Sequence, residues 1–127
     1  MSHEIDEIEI TTAAQAGHEA VRIYCERRGD FRHFPWNVLG ADQKLPARHG
    51  ALGVIVENHT PEQSHESWRM HRTALGWRYG RIYSVSVKEH PCMVPWAELS
   101  FEEQAKNVLF VSVVRAMAAA LRSIPNQ

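Results

Sequence analysis

The chain has 127 residues, of which 44% are hydrophobic and 23% charged, and its formal net charge is −1. That length suits one domain with a core of its own, and the near-neutral balance argues against general nucleic-acid binding. Two cysteines, Cys25 and Cys92, with no C-x-x-C spacing exclude a disulfide framework.

The N-terminus, MSHEIDEIEI, is acidic and lacks the apolar core of a signal peptide. A first helix is predicted over about 12–28, capped by Thr11 or Thr12, with Gly29 just past its end. Ala13, Ala16, Ala20, Val21, Ile23 and Tyr24 supply its apolar face. The segment GDFRHFPWNVLGADQKLP reads as an ordered loop held by Phe31, Phe34 and Trp36, because large aromatics avoid water. A second helix is predicted over about 46–58, with Gly50 and Gly53 as internal weak points. Thr60 and Pro61 open a third, which ends at Gly76. On it Met70, Ala74 and Leu75 share a core-facing arc, with Trp68 at the edge beside Arg72 and His65.

IYSVSV, from Ile82 to Val87, alternates like a short strand, although a loop fits as well. HPCMVPW, from His90, is extended. Ser100 and Glu103 make a capping box for the last and longest helix, which runs to about Arg122 and stops before Pro125. Its polar residues Gln104, Ser112, Arg115 and Arg122 form one narrow stripe, and the rest from Val108 to Leu121 is apolar. That face is wider than one core contact needs, so either the helix is central to the domain or it also buries itself in another subunit, and a homo-oligomer is expected. Ser112 and Arg115 interrupt the run and leave it short of a membrane span, so a cytosolic protein with no membrane partner is expected.

Eight histidines raise the question of a metal. Neither H-E pair continues to H-E-x-x-H (the chain has HEAVR at His18 and HESWR at His65), and His65 and His71 diverge by about 120° on a helix. No metal site and no cofactor are expected. Cys92 and His90 point the same way across Pro91, but no third group orients the histidine. G-x-S-x-G, P-loop and G-x-G-x-x-G patterns are absent. No catalytic set emerges, and the chain does not read as an enzyme.

HESWRMHRTALGWRYG, from His65 to Gly80, concentrates aromatic rings and arginines. Trp68 is either a half-buried ring covered by Arg72 in a cation–π contact, or a stacking platform for a base with cations near its phosphates. Spacing leaves both open.

H-E-x-W at 65–68, G-W-x-Y-G at 76–80 and K-E-H-P-C-x-V-P-W at 88–96, followed by Leu99, resemble the signature of the RyR domain. This is the repeated module of ryanodine receptors, also found alone in small bacterial and phage proteins. The match covers about 62–113, and the front helix resembles the single-domain form. The resemblance implies a mainly helical fold with a few short strands, so residues 1–127 are expected to form one compact α+β RyR-like domain. It also implies an adenine-nucleotide site with Trp68 stacked on the base, and for microbial forms a nucleotide-sensing role in phage–bacteria defence signalling. Ser84 and Asn107 stand where the pattern has aspartates. Two acids fewer favour an anionic ligand, or are structural changes.

The expectation is therefore non-catalytic binding of a nucleotide or nucleotide-derived signal: an adenine nucleotide, an ADP-ribose-type molecule or a cyclic nucleotide. The protein would act as a sensor or sequestering protein in the cytoplasm of a bacterium or an infected host cell. Trp68 would stack on the base beside His65, with Trp77, Tyr79 or Trp96 closing the pocket. Arg72, Arg78, Lys88 and His90 are the candidates for phosphates. The alternative is a structural or protein-interaction accessory module of a phage or bacterium, since aromatics and arginine also favour protein interfaces.

Overall fold

The computed structural model describes residues 6–124; the rest of the acidic N-terminus and Pro125 lie outside them. The first helix, α1, spans Glu7–Arg27, five residues ahead of the expected start. The reason is Asp6, whose carboxylate accepts the Ile8 N–H at 2.9 Å, with Glu7 and Glu9 in the first turn where the helix dipole favours negative charge. What reads as an acidic tail is a capped helix start, and Thr11 and Thr12 are interior. Gly29 does follow the helix end, at φ 86°.

The aromatic loop is held by one ring, not three. Trp36, in a short 3-10 turn at Trp36–Val38, is 5% exposed, whereas Phe31 and Phe34 are 69% and 61% exposed. Helix α2 spans Ala41–Glu57 and takes Pro46 into its interior. The Gln43 side chain accepts the Gly40 N–H at 2.9 Å, and this local cap starts the helix ahead of the proline. Asn58, in the left-handed region at φ 55°, ends it.

Helix α3, Pro61–Ala74, starts at the expected Thr60–Pro61, where Thr60 and Gln63 form a capping box, and stops where Gly76 turns at φ 94°. Its orientation corrects the expected arc. Met70 is 73% exposed, and Ala74 and Leu75 are exposed too, while His65 is 3% exposed and Trp68 and Arg72 are partly covered. The inward stripe is thus the polar and aromatic one, at positions i, i+3 and i+7.

Ile82–Val87 is not a strand. The two short strands are β1, Arg78–Tyr79, and β2, Glu89–His90, paired in parallel with Arg78 opposite Glu89 and Tyr79 opposite His90. The intervening loop adds an antiparallel bridge from Ser84 to Glu89. Gly80 is required there, since a Cβ on it would lie 2.5 Å from the Glu89 Cβ. A 3-10 turn at Trp96–Glu98 leads into α4, Phe101–Arg122, the longest helix at 22 residues.

Helix α4 is central. Val111 and Val114 are buried against Ile10, Ala13 and Ala14 of α1, Ala51 and Val54 of α2, and Trp36, and Ala118 is buried one turn further on. Close approach of α1 depends on Gly17, where a Cβ would meet the Phe110 ring at 2.7 Å. Contrary to the expected short run, α4 is by length and composition long and apolar enough to cross a membrane, because the helix extends through Ser112 and Arg115 to 22 residues, and few of them are fully buried. Its outer side leaves Phe101, Val108, Ala116, Ala119 and Ala120 exposed.

Candidate ligand-binding site

A cavity of about 810 Å³ opens between α2, α3, the start of α4 and the loops after α1 and β2. That volume lies within the usual range for small-molecule sites. Helix α3 contributes Trp68, Arg72, His71, Ser64 and Ser67; α4 contributes Glu103, Lys106, Asn107 and Phe110.

Of the nine residues expected at a site, Trp68, Arg72 and His90 line this cavity. His65 lies behind them. Its Nε2 donates to the Val94 carbonyl at 2.7 Å, and its ring stacks on Trp68 at 5.7 Å, which fixes the indole from the back. Trp77 is buried against Tyr83 at 5.9 Å. Trp96, half-buried, donates its backbone N–H to Glu66 at 3.3 Å, and its ring centroid is 6.1 Å from that of His65. Arg78 is exposed and pairs with Glu89 at 3.1 Å, and Tyr79 is exposed beside it in β1. Lys88 is a helix-capping residue: its Nζ donates to the Leu75 carbonyl at 2.8 Å.

The aromatic wall is a chain of rings. His90 meets Trp68 edge-on at 5.1 Å and Tyr83 at 5.2 Å. Arg72 lies 5.8 Å from the Trp68 ring and 5.2 Å from the Trp77 ring, so its guanidinium sits between two indoles. Its Nε is buried without a hydrogen-bond partner, and no carboxylate pairs with it among the described residues. The other two cations on the cavity are engaged: Arg32 by Asp30 at 2.8 Å, Lys106 by Glu103 at 3.0 Å.

Sequence reasoning missed Glu103, Lys106, Asn107 and Tyr83. Glu103, read as half of a capping box, accepts nothing from the Ser100 N–H among the described bonds and turns to Lys106, while the Ser100 hydroxyl still accepts the Glu103 N–H at 3.2 Å. The spacing Glu103, Lys106, Asn107, Phe110 was a legible signal, since it places all four on one helical face. Asn107 donates to the Glu103 carbonyl at 3.1 Å, so one of the two missing acids falls on the cavity wall; Ser84 does not. Also missed was that six of the eight histidines (His18, His33, His49, His59, His71 and His90) line this one cavity. They come singly from distant segments, so no spacing marks them.

Burial works to raise the Glu103 carboxyl, but Lys106, the Cys92 thiol and Arg32 outweigh it and hold the group below its ordinary 4.5. Burial and then the Glu103 charge push the Cys92 thiol up to about 12, so it stays protonated and is no nucleophile near neutrality. Burial, then the Arg72 charge, lowers His90 below 6.5, and burial with Lys106 does the same to His33.

The His33, His90 and Glu103 shifts are all downward. Between pH 6.5 and the folded values the unfolded chain takes up protons on His33 and His90 that the folded chain resists. Stability is therefore full above pH 6.5 and declines as pH falls. A second loss follows below about 4.5, where Glu103 joins Asp30, whose carboxyl Arg32 holds well below its usual range. Melting temperature measured from pH 8 to 3 should be level and then fall in these two stages. A rise on acidification would contradict the assignment.

The family model described as RyR domain matches residues 50–122, from the middle of α2 to the end of α4 and more than half of the chain.

Proposed function

The chain belongs to the RyR domain family, and from that membership and the cavity's charge we propose that it binds a nucleotide or nucleotide-derived signal without transforming it. The observation that carries this reading is Arg72. Its guanidinium is partly covered, with Nε buried and unbonded and no carboxylate pairing with it among the described residues, so an anion would satisfy it, and Trp68 beside it on the cavity offers a face to a base. Trp68 stacks on the base, held from behind by His65, while Arg72 and the neighbouring histidines meet phosphate oxygens. Asn107, in place of an acid, removes a charge that would repel them.

Non-catalytic binding is supported by the cavity's candidate nucleophile, Cys92, being kept as a thiol. The ligand classes that fit are adenine nucleotides, ADP-ribose-type molecules and cyclic nucleotides. The role that suits such binding is sensing or sequestering a signal in the cytoplasm, as in phage–bacteria defence.

A thermal-shift panel of these three classes, followed by calorimetry, tests the proposal. A ligand at a hundred times its Kd adds about 2.7 kcal/mol to stability. Absence of any shift at millimolar concentrations would end it.

We further propose that the protein self-associates through the outer side of α4, where Phe101 is 82% and Val108 46% exposed. Light scattering at high micromolar concentration should report a dimer or larger. A monomer there refutes the assembly and favours instead an interaction module whose partner covers the exposed Phe31, Phe34 and Val38.

A further inference from the structure

The end of α1 is closed by a local device that also gathers side chains. Gly29, at φ 86°, lets its N–H reach the Glu26 carbonyl at 3.0 Å, and the Asp30 N–H then reaches the Cys25 carbonyl at 2.8 Å. These are the paired bonds of a Schellman motif, which reverses the chain over the last helical turn. The reversal brings the Cys25 Sγ, an Asp30 carboxylate oxygen and a His33 ring nitrogen within 4.8 Å of one another. Cys25 is 1% exposed. His33 Nδ1 is buried with no hydrogen-bond partner among the described residues, a condition that calls for an occupant.

We infer that Cys25, Asp30 and His33 form a three-ligand site for a zinc-class divalent cation, with its fourth position open to water or an anion. Thiolate sulfur, imidazole nitrogen and carboxylate oxygen are the donor types zinc accepts, and three protein ligands are the usual number for an open site. On binding, the Cys25 thiol proton leaves to solvent as the sulfur–metal bond forms. His33 gives the Nδ1 lone pair and keeps its proton on Nε2. Arg32 donates to both Asp30 oxygens, at 2.9 and 2.8 Å, and so orients the carboxylate as an outer partner while leaving each oxygen lone-pair capacity.

The charge around the site must be faced. Arg32 and Lys106, the latter 4.0 Å from Asp30, repel a dication. Asp30, the Glu103 carboxylate beside Lys106 and the Cys25 thiolate oppose them with three negative charges to two positive. This site does not rest on the nucleotide reading, because Cys25 and Asp30 do not border the large cavity, although His33, Arg32, Glu103 and Lys106 lie on both.

The test uses the full chain, stripped with a chelator, kept reduced and titrated with Co²⁺. One Co²⁺ per chain should bind with a thiolate-to-cobalt charge-transfer band and tetrahedral visible bands, all displaced by Zn²⁺. Cys25→Ser should remove the charge-transfer band, and His33→Gln should weaken Co²⁺ affinity about tenfold or more. The inference is overturned if the parent shows no such band in excess Co²⁺, or if the band survives Cys25→Ser, which would assign it to Cys92. Should Cys25→Ser fail to fold by circular dichroism, an unchanged affinity in His33→Gln is enough to overturn it.

Discussion

Trp68→Ala is expected to weaken nucleotide binding by about 5- to 150-fold, the range that 1–3 kcal/mol of base–aromatic stacking corresponds to. The ring is partly covered, stacked on His65 at 5.7 Å and met edge-on by His90 at 5.1 Å, so the same change also lowers the melting temperature. Binding loss in this variant is therefore ambiguous taken alone. Arg72→Met resolves it. Methionine keeps apolar bulk between Trp68 and Trp77 but removes the charge, and hydrogen bonds to charged groups contribute about 1.5–3 kcal/mol. Affinity for an anionic nucleotide should fall by about 10- to 150-fold, and its dependence on salt should flatten. Stability should change little, because Arg72 is only partly covered and its buried Nε has no hydrogen bond to lose. Calorimetry at two salt concentrations, with melting curves on the same samples, gives both readings. An Arg72→Met protein that binds as its parent does, or that melts well below it, would make Arg72 a structural residue and sink the anion site.

Trp36→Ala is expected to lower stability by about 3–5 kcal/mol, the usual cost of emptying a buried indole site. The ring is 5% exposed, belongs to the central core cluster, and has Lys44 over it at 5.2 Å and His18 at 5.6 Å. Its backbone N–H also donates to Glu19 at 3.0 Å, which ties the loop to α1. Phe31→Ser and Phe34→Ser, at exposed positions in the same loop, should change stability by no more than about 0.5 kcal/mol. Urea denaturation of the three variants measures the contrast. Equal losses at all three positions would mean that the loop is held by all its aromatics together, as their composition suggests.

That contrast shows where the chain was legible. Helix α3 could be placed to within two residues, because Thr60, Pro61, Gln63 and Gly76 act on the backbone within one turn of themselves. The same locality explains the end of α1 at Gly29 and the cap of α4 at Ser100. The starts of α1 and α2 were misplaced by an equally local cause, caps at Asp6 and at Gly40–Gln43 that lay outside the apolar pattern. The mainly helical class and the family signature were also present in the linear order of residues, as the match over 50–122 bears out.

What the sequence determined by itself is thus the set of effects that fall off within a turn: caps, left-handed glycines, helix ends, and the ordered motif from His65 to Trp96. Tertiary structure alone decided which face of α3 looks inward, because burial is a property of neighbours. With α4 filling the apolar centre, α3 turns His65, Trp68 and Arg72 toward the cavity and leaves Met70 to water. It alone gathered six scattered histidines around one space and set Cys25 against His33. It also engaged Lys106 with Glu103 and Arg32 with Asp30, while leaving Arg72 between two indoles with no such partner among the described residues. The physical reason is range. Capping acts through one or two hydrogen bonds along the chain, whereas pairing, desolvation and cavity shape depend on groups that only folding brings within a few ångströms.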